Sequence, residues 1–297
     1  MASGGKFSVA FWNVENFWGR SARASEVSKH LKTIRDDGEM PDVISLCEIK
    51  DKGKIRDVIK EEFSDYDFAL TDTGGYHSRE RDKAEIEILV GWRQGLFNQA
   101  IFTQRVDLKA GAENVRPGAL LNVRLRRTWY SLLFLHMKSK ADPSSYRMRR
   151  AAIERLWRFK AALNRLDRTR DRRKGSRLLV MGDLNTMGNG RRLKGHHEVA
   201  NLKRDAKANG MVLMTKEHDL TFGQGPARDR LESNLDHVLT SRLQLRSLGY
   251  RENRGAGGRE RYRVAVRGWN QLKGDRLALR RFEKNLSDHS TLYVEVA

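Results

Sequence analysis

The chain has 297 residues, of which 39% are apolar, and this is enough for a substantial core in one large domain or two ordinary ones. Its single cysteine, Cys47, excludes a disulfide within the chain, and no apolar run approaches the roughly 20 residues that cross a bilayer. The net charge of +20 favours an anionic partner, chiefly nucleic acid.

The N-terminal segment MASGGKFSVAF lacks the long apolar region of a signal peptide. Together with the single cysteine, which suits a reducing compartment, this predicts a soluble, cytoplasmic protein. We see no composition shift and no Pro/Ser-rich linker, so the simpler interpretation is one domain over residues 1–297.

The first predicted element is a strand in FSVAFWNVENF, which alternates and then turns polar at Asn13. A helix is predicted in SEVSKHLKTIRDD, with Ser25 as N-cap and Val27, Leu31 and Ile34 at helical spacing. The apolar run DVISLCE then completes a pattern of strand, helix, strand. Further strands are predicted in YDFALT, EIEILVGW, AIFTQRV, GALLNVRLR and WYSLLFLHMK.

From residue 145 to about residue 173 the pattern becomes helical. Many arginines crowd this segment, and we interpret them as a hydrated helix face that covers a sheet; a nucleic-acid contact is the alternative. The predicted apolar stripe of this helix consists of Ala152, Leu156, Phe159, Leu163 and Leu166.

The rest of the chain is predicted to be strand-rich, after a polar stretch that runs to Ala208. Strands are predicted in MVLM, LTF, LDHVLTS, RYRVAV and STLYVEV. The segment RENRGAGGRER, residues 251–261, has no periodicity and predicts a mobile basic loop. Many strands with helices between them predict two sheets packed face to face and covered by helices.

Polar side chains interrupt or end the apolar strands at six places. Burying such a group unsatisfied costs roughly 1 to 3 kcal/mol by mutational measures, so a shared function is a simpler cause than six accidents. Taken singly, an Asn or Asp after a strand is most often a turn residue, and a lone histidine is more often a core residue. The six places are Asn13, Glu48, His136, the pair Asp183 and Asn185, Asp236, and the pair Asp288 and His289.

The segment LLVMGDLN places an acid and an amide directly after a buried strand. Side chains two residues apart on an extended chain point to the same side. We therefore expect Asp183 and Asn185 to face one spot at the end of a core strand.

The motifs WNVEN, CEIKD, LHMKS, GDLN, LDHVL and SDHS, in that order, resemble those of the endonuclease/exonuclease/phosphatase superfamily, which has the DNase I-like fold. The resemblance spans residues 13–289. It implies an α/β (α+β) fold, a four-layer α-β-β-α sandwich of two mainly antiparallel sheets flanked by helices. It also implies hydrolysis of phosphate esters with a divalent cation, usually Mg²⁺, with Mn²⁺ as an alternative.

The resemblance assigns Glu48 as the main metal ligand, supported by Asn13 and Asp288. The residue types suit this role, because Mg²⁺ prefers hard oxygen ligands and needs only one or two carboxylates besides the substrate phosphate. No Cys/His cluster in the sequence indicates structural zinc.

By the same resemblance, Asp236 and His289 form the family's Asp–His pair, in which the carboxylate orients the imidazole. Asp183 and Asn185 would hold the attacking water and a phosphate oxygen. His136 resembles the second catalytic histidine of DNase I, the sphingomyelinases and the cytolethal toxin nuclease.

In DNase I-like members a glutamate on an earlier strand supports the second histidine. Aligning EIEILV by its strand indicates Glu85 for this role. Glu87 lies one strand repeat away and faces the same side, so it remains open as the alternative.

The leading hypothesis for the substrate is DNA, cleaved by a largely sequence-nonspecific endonuclease. Phosphate contacts by Lys and Arg supply sequence-independent affinity. Trp269 and Tyr262 flank the second basic region and are candidates to stack on bases. The residues predicted to bind substrate on loops near the site are Trp18, Arg20, Lys50, Lys138, Lys140, Arg191, Arg192 and Lys194.

Other phosphate esters remain as alternatives within the same fold: an RNase, an abasic-site endonuclease, or a phosphatase of phosphoinositide or sphingomyelin type. A sphingomyelinase would be secreted and would expose apolar loops, and the sequence shows neither. The alternative from a different class is a nucleic-acid-binding module without catalysis, which is disfavoured because every expected catalytic position carries a competent residue. No membrane partner and no cofactor beyond a divalent metal are expected.

Overall fold

The computed structural model describes residues 6–35, 37–50, 52–72, 86–109, 115–170, 176–189, 193–225, 231–241, 243–252, 259–272 and 274–297. The α-helices in these ranges are α1 (Ser21–Lys32), α2 (Lys52–Glu62), α3 (Pro143–Arg170), α4 (Gly195–Ala208) and α5 (Arg276–Asn285). The strands are β1 (Phe7–Phe17), β2 (Val43–Ile49), β3 (Tyr66–Leu70), β4 (Glu87–Arg93), β5 (Gln99–Arg105), β6 (Gly118–Leu125), β7 (Thr128–His136), β8 (Leu178–Asp183), β9 (Gly188–Asn189), β10 (Leu193–Lys194), β11 (Val212–Leu213), β12 (Phe222–Gln224), β13 (Leu231–Ser233), β14 (Asp236–Ser241), β15 (Gly249–Glu252), β16 (Arg259–Tyr262), β17 (Ala265–Arg267) and β18 (Thr291–Val296).

Two six-stranded sheets contain most of these strands, in the orders β17-β18-β1-β2-β4-β3 and β11-β14-β8-β7-β6-β5. Each sheet has one parallel pair, β1–β2 in the first and β7–β8 in the second. The other neighbours within the sheets are antiparallel. A helix, α1 or α3, connects the strands of each parallel pair, as a parallel connection requires.

The two sheets pack face to face over an apolar core, and helices cover their outer faces. Strand β1 shows why, because its side chains alternate: Val9 and Phe11 face the other sheet, whereas Trp12 and Val14 face the helices. Helices α1, α2 and α5 lie on the first sheet, and α3 and α4 lie on the second. The predicted four-layer sandwich of mainly antiparallel sheets is confirmed.

Most of the predicted strands are present, but α2, α4 and α5 were not predicted. Helix α5 buries only Leu279 and Phe282 among its ten residues, so its apolar stripe is too narrow to read in the sequence. It begins instead with a capping interaction, since the Asp275 carboxylate accepts hydrogen bonds from the N–H groups of Leu277 and Ala278 at 2.9 and 3.0 Å.

Three further details differ from the sequence predictions. Helix α1 begins at Ser21, with Arg20 at the N-cap position, so Ser25 is not its cap. On α3, Leu166 is 59% exposed and lies outside the buried stripe. The predicted basic loop 251–261 begins and ends in the antiparallel pair β15–β16, where Arg251 donates to Glu260 at 2.7 Å; residues 253–258 lie outside the described residues.

None of the described helices combines the length and the apolar composition that a membrane crossing requires.

Burial of His30 on α1 makes the stability of the fold sensitive to acid. The imidazole packs against the rings of Trp12 and Phe282, with centroids 4.5 and 5.2 Å away, and its Nε2 is 3.0 Å from Thr291 Oγ1. Burial lowers the pKa of His30 to about 4. Because this lies below the unfolded value, His30 contributes stability that is fully present above pH 6.5 and is lost as the pH falls towards 4.

We expect His30 to account for about 3 kcal/mol of lost unfolding free energy between pH 6.5 and pH 4. Urea unfolding at a series of pH values, with His30→Gln beside the wild type, measures this as a shallower pH dependence of the variant. His197→Gln is the control, since His197 is exposed on α4. An unchanged pH dependence in His30→Gln would contradict the assignment.

Candidate active site

The sheet topology brings the predicted polar residues to one place. The carboxyl ends of a parallel pair meet at one edge, and an antiparallel neighbour begins at that edge. Strand β18 is antiparallel to β1, and β14 is antiparallel to β8. The polar residues lie together where β1, β2, β7 and β8 end and where β14 and β18 begin: Asn13, Glu48, His136, Asp183, Asp236 and His289. All of them are buried except Glu48, which is half-buried.

Asn13 joins the two sheets at the centre of the site. Its Nδ2 donates to Glu48 Oε1 and to Asp183 Oδ2, both at 3.1 Å, and lies 3.5 Å from His289 Nε2. Its Oδ1 accepts a hydrogen bond from the N–H of Glu15 at 3.0 Å. One amide therefore sets the distances between side chains from both sheets.

Two of the polar residues have left-handed backbone conformations that favour glycine. Glu48 has φ of 65° and Asn185 has φ of 49°. Such conformations cost of order 1–3 kcal/mol and persist only where the surroundings hold them. Here the Glu48 carboxylate accepts from the N–H of Asn16 at 3.1 Å, and Asn185 Nδ2 donates to the carbonyl oxygen of Met137 at 3.1 Å.

The structure corrects the argument for the GDLN motif while keeping its two residues together. Strand β8 ends at Asp183, so Asn185 is not on an extended chain. The Asp183 carboxylate instead accepts from the N–H of Asn185 at 3.0 Å, which folds the chain back. Gly182 is required by close packing, since a Cβ at this position would collide with the carbonyl oxygen of Leu135 on β7.

Asp236 and His289 form the predicted pair. His289 Nδ1 lies 2.8 Å from Asp236 Oδ2, and its Nε2 lies 3.9 Å from both Asp183 Oδ2 and Asp288 Oδ1. Burial opposes a charged imidazole, but the carboxylates of Asp236 and Asp183 outweigh it and raise the pKa of His289 to about 10. The imidazole is therefore protonated at neutral pH, with Nε2 directed towards the other carboxylates.

The carboxylates of the site are held against their preference for water. Burial, followed by the charge of Asp236, raises the pKa of Asp183 to about 7. Burial also raises the pKa of Asp288 to about 6. Crowded, desolvated carboxylates of this kind are typical of functional sites, where a cation or a substrate compensates the cost.

His136 lies between the two halves of the site as a neutral imidazole. Its Nε2 is 3.7 Å from both Glu48 Oε1 and Asp183 Oδ2. Burial, and then the positive charges of Arg116 and His289, hold the pKa of His136 well below its usual range. Its Nδ1 is buried and has no hydrogen-bond partner among the described residues.

The glutamate predicted to support His136 is not placed by the structure. Glu85 lies outside the described residues. The alternative, Glu87, is fully buried on β4 and accepts a hydrogen bond from Thr71 Oγ1. The support of His136 by Glu85 stays a prediction.

The structure adds Arg116 and Glu15 to the site. Arg116 Nη1 donates to the carbonyl oxygen of Met137 at 3.3 Å; burial lowers the pKa of its guanidinium, and the carboxylates of Glu48 and Asp183 act against that shift. Burial also raises the pKa of Glu15, which is close enough to Glu48 for their charges to interact. Arg116 could have been found in the sequence, because it lies two residues before β6, which begins where its antiparallel neighbour β7 ends.

Two groups of side chains could hold a cation. The first, Asp183, Asp236 and His289, has ligand atoms within 4.8 Å of one another and is buried. In this group, however, His289 Nδ1 and Asp236 Oδ2 lie 2.8 Å apart and are already engaged with each other. The second is the sequence-predicted group, in which Glu48 and Asp288 supply hard oxygen ligands and the Asn13 carbonyl keeps a second lone pair.

The residues predicted to bind substrate lie partly at the mouth of the site. Trp18 is 45% exposed and has Lys50 Nζ 4.8 Å above its ring. Arg20, Lys140 and Lys194 are exposed and Lys138 is half-buried. Arg191 and Arg192 lie outside the described residues.

Trp269 does not have the predicted role, because it is part of the core. Its side chain is fully buried beneath α5, and its indole N–H donates to the carbonyl oxygen of Thr221 at 3.1 Å. Tyr262 is also buried, with 9% of its surface exposed. Neither ring offers a face on which a base could stack.

Arg149 connects the loops that follow β7 and β8. It was predicted to lie on a hydrated helix face but is 1% exposed. Its guanidinium donates to the carbonyl oxygens of Lys138, Lys140 and Gly188 at 3.1, 2.8 and 2.8 Å. Its Nε and Nη2 donate to the two carboxylate oxygens of Glu198 on α4 at 2.8 and 2.9 Å, so all five N–H groups are used.

Comparison with solved structures shows the same fold in proteins of low sequence identity. TDP2 from D. rerio, in a structure complexed with single strand DNA product, is 14% identical, with a TM-score of 0.61 and 99% of each chain covered. A mannosyl-6-phosphatase from Bacteroides thetaiotaomicron is 14% identical, with a TM-score of 0.54 and 98% of this chain and 99% of that chain covered. An endonuclease/exonuclease/phosphatase family protein from the same species is 13% identical, with a TM-score of 0.57 and 99% and 98% covered.

A search among curated protein sequences finds no match. The profile of the Endonuclease/Exonuclease/phosphatase family, by contrast, matches residues 10–289, which include every polar residue of the site. Members of this family are phosphoester hydrolases, and the fold described above is theirs. The chain therefore belongs to the endonuclease/exonuclease/phosphatase family.

Proposed function

We propose that the protein is a Mg²⁺-dependent phosphodiesterase, a largely sequence-nonspecific DNA endonuclease acting in the cytoplasm. The observation that carries this proposal is the cluster around Asn13, in which one amide donates to Glu48 and Asp183 across two sheets and lies 3.5 Å from His289 Nε2. A cluster of carboxylates, a protonated imidazole and a neutral imidazole suits attack on a phosphate ester better than any structural purpose.

Glu48, supported by Asn13 and Asp288, would hold the divalent cation. When bound, Mg²⁺ would neutralise charge on the phosphate and help to orient it. This site suits a hard cation because its donors are oxygens and because burial raises the pKa of Asp288 to about 6, a cost that a bound cation offsets. Mn²⁺, which also accepts oxygen ligands, is the alternative.

Asp183 and Asn185 would position the attacking water and a phosphate oxygen. The Asp183 carboxylate accepts the Asn13 amide on one oxygen and the Asn185 N–H on the other. These two hydrogen bonds fix its plane, and a carboxylate held in this way can accept a proton from water as it attacks. Near in-line attack needs such fixed geometry.

His289 would stabilise charge that develops on the phosphate. Asp236 orients its ring through Nδ1 at 2.8 Å and keeps it protonated, so Nε2 carries a proton that it can donate to a phosphate or leaving oxygen. His136 stays neutral at neutral pH and can donate or accept a hydrogen bond without adding charge. Arg116 supplies a second fixed positive charge beside Glu48.

The choice of nucleic acid rests on charge. The chain carries 58 Lys and Arg against 38 Asp and Glu, and such an excess favours long polyanions such as nucleic acid over small esters with one or two negative charges. The similarity to a structure complexed with single strand DNA product supports this choice. The similarity to a mannosyl-6-phosphatase keeps a phosphomonoester as the second candidate substrate.

The test is a panel of substrates in one buffer: plasmid and linear duplex DNA, single-stranded DNA, RNA, abasic duplex, inositol phosphates and mannose 6-phosphate. We expect cleavage of DNA with Mg²⁺, its loss in EDTA, and recovery when Mg²⁺ or Mn²⁺ is added back. Full cleavage in EDTA would contradict the metal assignment. Activity on the sugar phosphates alone would replace the nuclease proposal with a phosphatase.

A further inference from the structure

A groove leaves the candidate active site between α1 and α5. Its larger part has a volume of about 830 Å³ and lies beside Trp18, Arg20 and Arg23. Its smaller part, of about 280 Å³, reaches Asp288 and Arg280. The two parts are continuous, because Glu15, Glu283 and Lys284 line both.

The groove offers three exposed cations that form no ion pair with another side chain of the described residues. Arg20, Arg280 and Lys284 are exposed and make no ion pair with the described residues. Arg23 is already engaged, since its guanidinium donates to the carbonyl oxygens of Val14, Glu15, Asn16 and Leu286. Unpaired cations along a groove that ends at a phosphate-cleaving site indicate a ligand with further phosphates.

Three of the four acidic residues of the groove do not cancel this charge. Glu26 pairs with Lys29 at 2.9 Å. Glu15 and Asp288 lie at the inner end, beside the proposed cation site, where burial, and to a lesser extent the charge of Glu48, raises the pKa of both. Glu283 is the remaining acidic residue of the lining.

Trp18 supplies an aromatic surface on the wall of the groove. Its indole is 45% exposed, and Lys50 Nζ lies 4.8 Å above its ring. It is two residues from Asn16, whose N–H holds the Glu48 carboxylate, so the ring lies next to the reacting centre. A base can stack on an indole only when the face of the base is free. Inside a duplex the neighbouring base pairs cover that face, whereas in a single strand it is accessible.

We propose that this groove binds a single-stranded segment of nucleic acid that continues from the scissile phosphate. One base stacks on Trp18, and the phosphates that follow approach Arg20, Arg280 and Lys284. The inference rests on the proposed nuclease function and adds to it a preference for substrates that are unpaired next to the cleaved bond.

The first experiment compares kcat/KM for a single-stranded DNA oligonucleotide with kcat/KM for bis(p-nitrophenyl) phosphate, a small diester without flanking nucleotides. We expect Trp18→Ala to lower the ratio of the two about five- to a hundred-fold, which is the range that stacking of one base provides. Trp18→Phe keeps an aromatic face and should recover most of the ratio. A ratio within two-fold of the wild type in Trp18→Ala would overturn the inference.

The second experiment measures binding of a labelled single strand in EDTA, where no cleavage is needed. The double variant Arg280→Ala/Lys284→Ala should weaken the salt dependence of Kd. The slope of log Kd against log salt concentration should fall by about 0.7 for each lost phosphate contact. Arg158→Ala/Arg165→Ala is the matched control, because it removes the same charge from the exposed face of α3, on the other side of the molecule.

The outcomes separate this inference from the proposed function. If the wild type hydrolyses no phosphodiester, the nuclease proposal is overturned, whatever binds in the groove. If the wild type cleaves DNA but its Kd has the same salt dependence as that of the Arg280→Ala/Lys284→Ala variant, the groove inference alone is wrong. Tighter binding of a blunt duplex than of a single strand would also overturn it.

Discussion

Asp183→Asn is expected to lower kcat/KM for DNA by about 10²- to 10⁴-fold, the range that a positioned acid or base contributes. The substitution keeps the shape of the side chain and its contact with the N–H of Asn185, but it removes the carboxylate that would accept a proton from the attacking water. Initial rates of plasmid nicking at pH 8 with Mg²⁺ measure the effect.

The same substitution should not destabilise the fold, and this separates catalysis from folding. Burial raises the pKa of Asp183 to about 7 from 3.8, so its contribution to stability is present below pH 3.8 and is lost as the pH rises through 7. At pH 8 the folded chain therefore holds a carboxylate that it disfavours. In EDTA, Asp183→Asn should unfold at the same urea concentration as the wild type or at a higher one.

His289→Ala tests the other half of the same mechanism. It should lower kcat/KM for DNA by a similar factor. The double variant with Asp183→Asn should lose little more, because the effects of substituting residues that act as a unit are not additive. Asp67→Asn, an exposed position on β3, is the matched control for the loss of one carboxylate. Cleavage at the wild-type rate by both single variants would show that the site is elsewhere.

The residues of this site could be predicted because each one breaks a local rule. A polar side chain at the end of an apolar strand is visible without knowledge of the fold, and the order of the motifs then indicated how Asn13, Asp183 and His289 come together. The structure adds the physical reason, which is that a parallel pair in each sheet and its antiparallel neighbours share one edge.

What the sequence did not show depends on contacts between residues far apart in the chain. Trp269 is an aromatic residue near a basic region, as a base-stacking residue would be, and only its packing beneath α5 reveals that it is a core residue. Arg149 stands among other arginines of a basic helix, and only the approach of Gly188 and Glu198 distinguishes it. The left-handed conformation of Asn185 is likewise held by a contact with a distant part of the chain, the carbonyl of Met137 directly after β7.

Arg149→Met is expected to lower the free energy of unfolding by about 3–5 kcal/mol, the usual cost of removing one partner of a buried ion pair. It would leave the Glu198 carboxylate buried without its cation, although the carboxylate keeps the N–H of Gly188 at 2.7 Å. Urea unfolding followed by tryptophan fluorescence measures the loss. Arg158→Met, an exposed position on the same helix, controls for the change in charge and helix propensity.

The double variant Arg149→Met/Glu198→Leu shows what the pair is for. Replacing both charges by apolar side chains removes the unpaired carboxylate, so most of the stability should return, as it does for other buried pairs. The carbonyl groups of Lys138, Lys140 and Gly188 would still lack their shared donor, and these belong to the loops that follow His136 and Asp183. We therefore expect the fold to recover while kcat stays low. The loss in kcat should be tenfold or more, since each ~1.4 kcal/mol added to the activation free energy by misplaced loops lowers the rate about tenfold. Recovery of both would show that Arg149 only stabilises the fold, whereas recovery of stability alone shows that it positions the two catalytic loops.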